Sequence, residues 1–130
     1  MLPVFCVRAA YRACEAEHGN MSQRDLNDCA TFSHAAWEER RMAVKKRLIA
    51  AKQAGSVFPS PDRHIALLVE SERRWEVWNG PDCEMQAAVS KGGTHHRFAL
   101  ELCLSNHAAY RAIEFEALAE DWGKIFNLDN

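Results

Sequence analysis

Residues 22–48 read SQRDLNDCATFSHAAWEERRMAVKKRL, and this stretch decides the fold. Ser22 followed three residues later by Asp25 is the start of a capping box, with Asp a weaker choice than Glu for the return bond. From Leu26 the apolar or small positions recur as Leu26, Cys29, Ser33, Trp37, Val44 and Leu48. Steps of three, four and seven mark one face of an α-helix, which Arg40 or Arg41 interrupts. The spacing predicts a helix that ends near Gly55.

Working outward, Gly19-Asn20 closes an earlier helical block that runs from about Pro3 to His18. Downstream, residues 56–61 (SVFPSP) read as a linker. Ser60-Pro61-Asp62 then reads as a helix start: a cap, a proline in the first turn and an acid near the positive end. The third helix carries Ile65, Leu68, Trp75 and Trp78 on one face. Asn79-Gly80-Pro81 is expected to bend or break it, because proline lacks a donor and clashes with the preceding turn. A continuation runs to about Ser90. Gly92-Gly93 makes the next turn, and Thr94 is expected to cap the last helix. That helix carries Phe98, Leu102, Cys103, Tyr110, Ile113 and Ala117 and extends toward Trp122. No stretch alternates as a strand does. The pattern predicts an all-α, antiparallel bundle of about four helices, two of them long, with a mixed α/β domain as the lesser alternative.

The chain has 130 residues, which suits one domain over 1–130. Hydrophobic residues make up 48% and charged residues 26%, so a disordered or collagen-like chain is excluded. No run of about 18 apolar residues exists, so no transmembrane segment is expected. The net charge of -2 and pI of about 6.3 argue against nucleic acid as a partner. Charge is unevenly placed. Residues 1–65 hold ten Lys/Arg against seven Asp/Glu, and residues 66–130 hold six against eleven. The extremes are a basic run from Arg40 to Lys52 and an acidic run of Glu114, Glu116, Glu120 and Asp121. These are either two solvated helix faces or, in the acidic case, a patch for a basic partner. Residues 1–10 (MLPVFCVRAA) lack the charged start and long apolar core of a secretory signal. Phe5 also stands where a small residue precedes a lipidated cysteine. The expectation is a cytoplasmic chain, or one whose export signal is not part of this sequence.

Five cysteines cannot all pair with one another. Cys14 lies five residues before Gly19 and Cys29 seven after Ser22. Cys83 lies nine before Gly92 and Cys103 nine after Thr94. In antiparallel helices rising about 1.5 Å per residue, such positions come level. If their side chains face inward, Cys14 can bridge to Cys29 and Cys83 to Cys103, and Cys6 is left over. Each closed loop of about 15 to 20 residues then stabilises the fold by roughly 3 kcal/mol in the chain-entropy view. Such bonds persist in an oxidising compartment; buried free thiols in a cytoplasmic domain are the alternative.

Cys14 and His18 stand one helical turn apart, as do Cys103 and His107, and His95-His96 adds two more donors. A closed zinc site needs four convergent ligands, and no CxxC or HExxH pattern supplies a second half. No metal and no cofactor are therefore expected. No P-loop, GxSxG elbow or dinucleotide glycine motif occurs. Cys103 with His107 is a poor nucleophile–base pair, since one helix rarely gives the geometry and a disulfide removes the thiol. Glu38-Glu39 reads as surface charge. No catalytic residues are expected.

The chain resembles the LprI-type lysozyme-inhibitor domain family, small helical, cysteine-rich domains of the bacterial envelope. Cys14 and Asp28-Cys29-Ala30 match its first two cysteines. Ser71-Glu72-Arg73-Arg74-Trp75 stands at its AQRAW stretch, with Trp78 at a following aromatic. Cys83 falls eight residues after Trp75, Gly92-Gly93-Thr94 matches a Gly-Gly-Ser turn, and Cys103 and Arg111 match the closing cysteine and arginine. The resemblance covers about residues 14–111, leaving 112–130 as a helical extension. The chain departs in three places. An Asp-x-x-Leu-Asn step reads Glu38-Glu39-Arg40-Arg41-Met42, Ser71-Glu72 replaces Ala-Gln, and an Arg-Asp step reads Asn79-Gly80.

The resemblance implies an exported, oxidised protein of the periplasm or cell envelope that binds rather than catalyses, and whose partner is a peptidoglycan-degrading enzyme such as lysozyme. Lysozyme-type clefts carry two acidic groups. The turn Lys91, Gly92, Gly93, Thr94, His95 and His96 is the candidate partner-binding element, with cationic and hydroxyl groups on a small-residue tip. Two alternatives stand beside it: an immunity protein against a toxin from a competing bacterium, and a metal or redox module built on the Cys/His pairs. Trp75, Trp78 and Arg111 are read as core and helix-contact residues.

Overall fold

The computed structural model describes residues 4–50 and 61–126. A 3-10 turn, Val4–Arg8, leads into α1 (Ala9–His18). It is followed by α2 (Gln23–Ile49), α3 (Pro61–Ala87), a second 3-10 turn (Ala88–Ser90) and α4 (His96–Phe126). No strand occurs among the described residues. The bundle has four α-helices as expected, but three are long rather than two, at 27, 27 and 31 residues.

Local chemistry sets these boundaries. Gly19 follows α1 at φ +70°, a conformation that L side chains rarely adopt. Ser22 then starts α2 with a full capping box. The Asp25 amide donates to Ser22 Oγ at 3.2 Å, and the Ser22 amide donates to Asp25 Oδ2 at 3.1 Å. The Ser22 backbone bond is also the main cause holding the Asp25 carboxyl below its ordinary pKa. The helix ends at Ile49, with the Ala50 amide bonded to the Lys46 carbonyl at 3.0 Å. The expected end near Gly55, most of the 56–61 linker, the Ser60 cap, and the start near Pro3 lie outside the described residues.

Two boundaries differ from the sequence reading. α3 runs through Asn79-Gly80-Pro81 unbroken to Ala87. The carbonyl that Pro81 leaves without an amide partner belongs to Val77. Both residues are exposed, so water can satisfy that carbonyl. The turn beyond is tied to α4 by the Cys83–Cys103 disulfide. Thr94 does not cap α4 either. A turn closed by the His96 amide on the Gly93 carbonyl carries the chain further, and the first helical amide bond runs from Ala99 to the His95 carbonyl.

α1 and α2 form one antiparallel hairpin and α3 and α4 the other. The main seam between the hairpins is α2 against α4, and these two run parallel. Along it Ser33 meets Ser105 at 2.7 Å, His34 meets Glu101 at 2.8 Å, and Arg40 meets Glu116 at 3.1 Å. Buried alanines Ala108, Ala109 and Ala112 admit Val7 and Trp37, with Ile113 beside them. Further along, Val44, Leu48, Leu68, Phe115, Ala119 and Trp122 make a second cluster. Residues beyond 111 thus continue α4 and carry half of that cluster. The buried face of α3 is Leu68, Glu72, Cys83 and Ala87, so Trp78 is not part of it and is 49% exposed. Tyr110 likewise points outward.

Between the two clusters lies a buried charge. Glu72 is 2% exposed and Arg41 3%. The Arg41 guanidinium bonds Glu72 on α3 and is held by Glu38, with Nε to Oε2 at 2.9 Å. Lys45 reaches Glu72 at 3.2 Å and Arg111 reaches it at 3.4 Å. Arg111 also donates to Ser71 Oγ at 2.8 Å. The flat faces are used too: Arg41 lies 4.6 Å over Trp75 and Arg111 4.7 Å over Phe115. Burial opposes the charged form of Arg41, but Glu38 and Glu72 outweigh it and raise its pKa.

Removing one partner of a buried pair leaves an uncompensated charge. Glu72→Ala is expected to cost about 3–5 kcal/mol in urea unfolding, against about 1 kcal/mol for Ser22→Ala. The double change Arg41→Leu with Glu72→Gln is expected to cost less than the sum of the two single changes, because neither charge is then orphaned. A strictly additive double mutant would contradict this account.

Candidate functional site

The turn between α3 and α4 is an exposed tip. Lys91, Gly92, Gly93, Thr94 and His95 are all exposed. Gly92 sits at φ +86°, so a side chain there would strain the turn. The Lys91 amide closes onto the Ala88 carbonyl and the Gly93 amide onto the Ser90 carbonyl, each at 3.0 Å. His95 is anchored across the hairpins: its Nδ1 meets Gln23 Oε1 at 3.4 Å, and its ring lies 4.7 Å from Phe98. Because α2 and α4 run parallel, both of their N-termini come to this end. His96 differs from its neighbours. It is half-buried and folds back to donate Nδ1 to the Ala87 carbonyl at 3.1 Å. The outward face is therefore Lys91 to His95, with His96 bracing the turn beneath.

The cysteines pair as their spacing predicts. Cys14–Cys29 and Cys83–Cys103 are disulfides with Cα separations of 5.5 and 5.6 Å, and Cys6 is a half-buried free thiol. Each bond has a histidine against it, His18 in the first hairpin and His107 in the second. The second cluster is the more enclosed. His107 Nε2 lies 3.7 Å from Cys103 Sγ and 3.2 Å from Asp82 Oδ2, and Nδ1 lies 2.8 Å from Asn79 Oδ1. Trp78 stacks on the imidazole at 4.6 Å with a 12° interplanar angle. Burial pushes the His107 pKa down, only partly offset by Asp82. The sequence reading placed Cys103 and His107 together but missed Asn79, Trp78 and Asp82. Asp82 adjoins Cys83 and Asn79 and Trp78 lie about one turn before it, so once Cys83 is level with Cys103 all three come near His107.

The charged runs meet in the pair Arg40–Glu116, whereas Arg41, Lys45 and Glu114 pair with residues outside the two runs. Glu116 of the acidic run pairs with Arg40 of the basic run, and Glu114 pairs with Arg111 at 3.3 Å. Glu38 likewise serves Arg41. No helix among the described residues is long and apolar enough to cross a membrane.

The fold is thus a helical domain with each hairpin stapled by a disulfide and an exposed polar turn at one end. The sequence profile of the lysozyme inhibitor LprI family matches residues 14–115. The chain belongs to that family. It is also similar to an uncharacterised protein of Rhizobium meliloti, 25% identical over 105 residues, which covers 77% of this chain and 76% of the relative. No solved structure matches the chain.

Thiol accounting checks the pairing. Alkylation of the native protein is expected to label Cys6 alone, and reduction to add two hydrogens for each of the two disulfides. Peptide mapping that links Cys6 to any other cysteine would overturn it.

Proposed function

We propose that this is a non-catalytic protein of the bacterial envelope that binds and inhibits a peptidoglycan-cleaving glycosidase of the lysozyme type. The observation that carries this reading is the family match over residues 14–115. Two disulfides support the envelope address, since such bonds persist in oxidising compartments.

The element proposed to enter the partner's cleft is the tip Lys91–His95. The catalytic cleft of such an enzyme holds two carboxyl groups. Lys91 brings a flexible ammonium toward them, and Thr94 and His95 bring groups that donate or accept hydrogen bonds. Gly92 and Gly93 keep the tip narrow enough to enter a groove shaped for a sugar chain. Inhibition then follows from occupancy: the carboxylates are paired with the inhibitor and the substrate has no path to them. The tip is held by backbone bonds and by His95 on Gln23, so little conformational freedom is lost on docking.

Clearing of a cell-wall suspension by lysozyme, with increasing amounts of the protein, tests both levels. The intact protein is expected to slow clearing. Lys91→Ala and His95→Ala, both at exposed positions, are each expected to weaken inhibition about tenfold or more, the scale of a lost interfacial charge contact. Unchanged potency in both variants removes the tip from the interface. Full clearing at saturating intact protein rejects lysozyme as the target.

A further inference from the structure

Cys83, Cys103 and His107 meet from two helices, and Asp82 contacts the same imidazole. Cys83 and Asp82 come from α3, and Cys103 and His107 from α4. This is the second half-site that the sequence pattern alone did not supply. The separations matter. His107 Nε2 lies 3.7 Å from Cys103 Sγ, 3.9 Å from Cys83 Sγ and 3.2 Å from Asp82 Oδ2. Zinc holds sulfur at about 2.3 Å and nitrogen or oxygen at about 2.0–2.2 Å. A tetrahedron with those radii has N–S edges of about 3.6 Å and an N–O edge of about 3.3 Å. The Nε2 distances fall near those edges, although Cys83 Sγ lies nearer to Nδ1, at 3.4 Å.

The hydrogen bonds point the same way. Nδ1 lies 2.8 Å from Asn79 Oδ1, so an Nδ1–H donates to that carbonyl. The other nitrogen, Nε2, then presents its lone pair to the Asp82 carboxylate. Either a proton or a metal ion between that nitrogen and the carboxylate satisfies both. The Asn79 bond is also the outer contact that fixes a metal-bound imidazole in one tautomer and orientation. Cys83 is fully buried, and Trp78 covers the imidazole face, which shields the cluster from water. The matching group in the first hairpin, Cys14, Cys29 and His18, lacks this enclosure. His18 is exposed there, and its neighbour Asp25 lies further off, at 3.8 Å.

We propose that the reduced form of this protein binds one zinc-class divalent cation through Cys83, Cys103 and His107, with the Asp82 carboxylate turning in from its contacts with His107 and Gln86 as the fourth ligand, so that the second hairpin is closed by either a disulfide or a metal. A dithiol reductant supplies two electrons and two protons, splits the Cys83–Cys103 bond into two thiols and itself closes to a disulfide. The cation then displaces both thiol protons to solvent and is held by two thiolates, one imidazole and one carboxylate. Opening the S–S bond lets the sulfurs part toward the S–S edge of the tetrahedron, about 3.8 Å.

The test uses the full chain, reduced with dithiothreitol and desalted without oxygen, then titrated with Co²⁺ and with Zn²⁺ against a chromophoric chelator while helicity is followed by circular dichroism. Expected are the thiolate charge-transfer and intense d–d absorption of tetrahedral Co²⁺, displaced by Zn²⁺, and no binding by the oxidised protein. His107→Ala and Asp82→Asn are expected to weaken binding about tenfold or more, and Cys83→Ser to abolish it, whereas His18→Ala leaves it unchanged. If reduction unfolds the chain, recovery of helicity on adding Zn²⁺ supports the site, and failure to recover overturns it. Absence of the tetrahedral spectrum, or equal binding by His107→Ala, also overturns it.

Discussion

Glu72 carries a negative charge at 2% exposure in the middle of the bundle, and the elements around it are arranged to answer that charge. Arg41 and Lys45 come from α2 and Arg111 from α4, so one carboxylate on α3 draws in three cations from two other helices. Each cation is held in turn. Glu38 grips Arg41, Ser71 takes Arg111, and Trp75 and Phe115 lie flat against the two guanidinium groups. The desolvation cost of such a cluster is large, and it is met only when the geometry is complete. The network therefore fixes how the two hairpins register against each other. A slip of one helical turn would strand a charge in an apolar setting.

The same residues explain how this member departs from the pattern of its family. Arg41 stands at a Leu position, Glu38 at an Asp, Ser71 at an Ala and Glu72 at a Gln. Taken one at a time these look like unrelated drift. In the folded chain they touch: Glu72 and Glu38 bind Arg41, and Ser71 and Glu72 bind Arg111.

What was legible in the sequence was local. Ser22 with Asp25, Gly19, and the two cysteine pairs were readable because capping and loop length are properties of short segments. Arg41 was not, because a charge on an apolar face looks like an interruption until its partner is known, and Glu72 lies 31 residues away on the other hairpin. Trp78 was assigned to the core because it shares a helical face with Ile65, Leu68 and Trp75 in the sequence, although Leu68, Glu72, Cys83 and Ala87 set the true inner face. Pro81 was given too much weight as a breaker, since its missing donor falls on a solvent-facing turn that the next disulfide secures. At the site, the tip was legible as a turn. That His96 folds under it and His95 reaches Gln23 depends on packing between hairpins.

The parallel seam of α2 and α4 has a consequence for how the chain assembles. Both disulfides lie within hairpins, closing separations of 15 and 20 residues. The contacts along the seam join residues 67 to 76 apart. Hairpins of low contact order form fast, while long-range pairings wait on the larger loop-closure entropy. The rate-limiting event is then the side-by-side docking of two preformed hairpins, with the buried ions placed last. Because neither disulfide among the described residues crosses that seam, the hairpins are held to each other there by packing, hydrogen bonds and ion pairs.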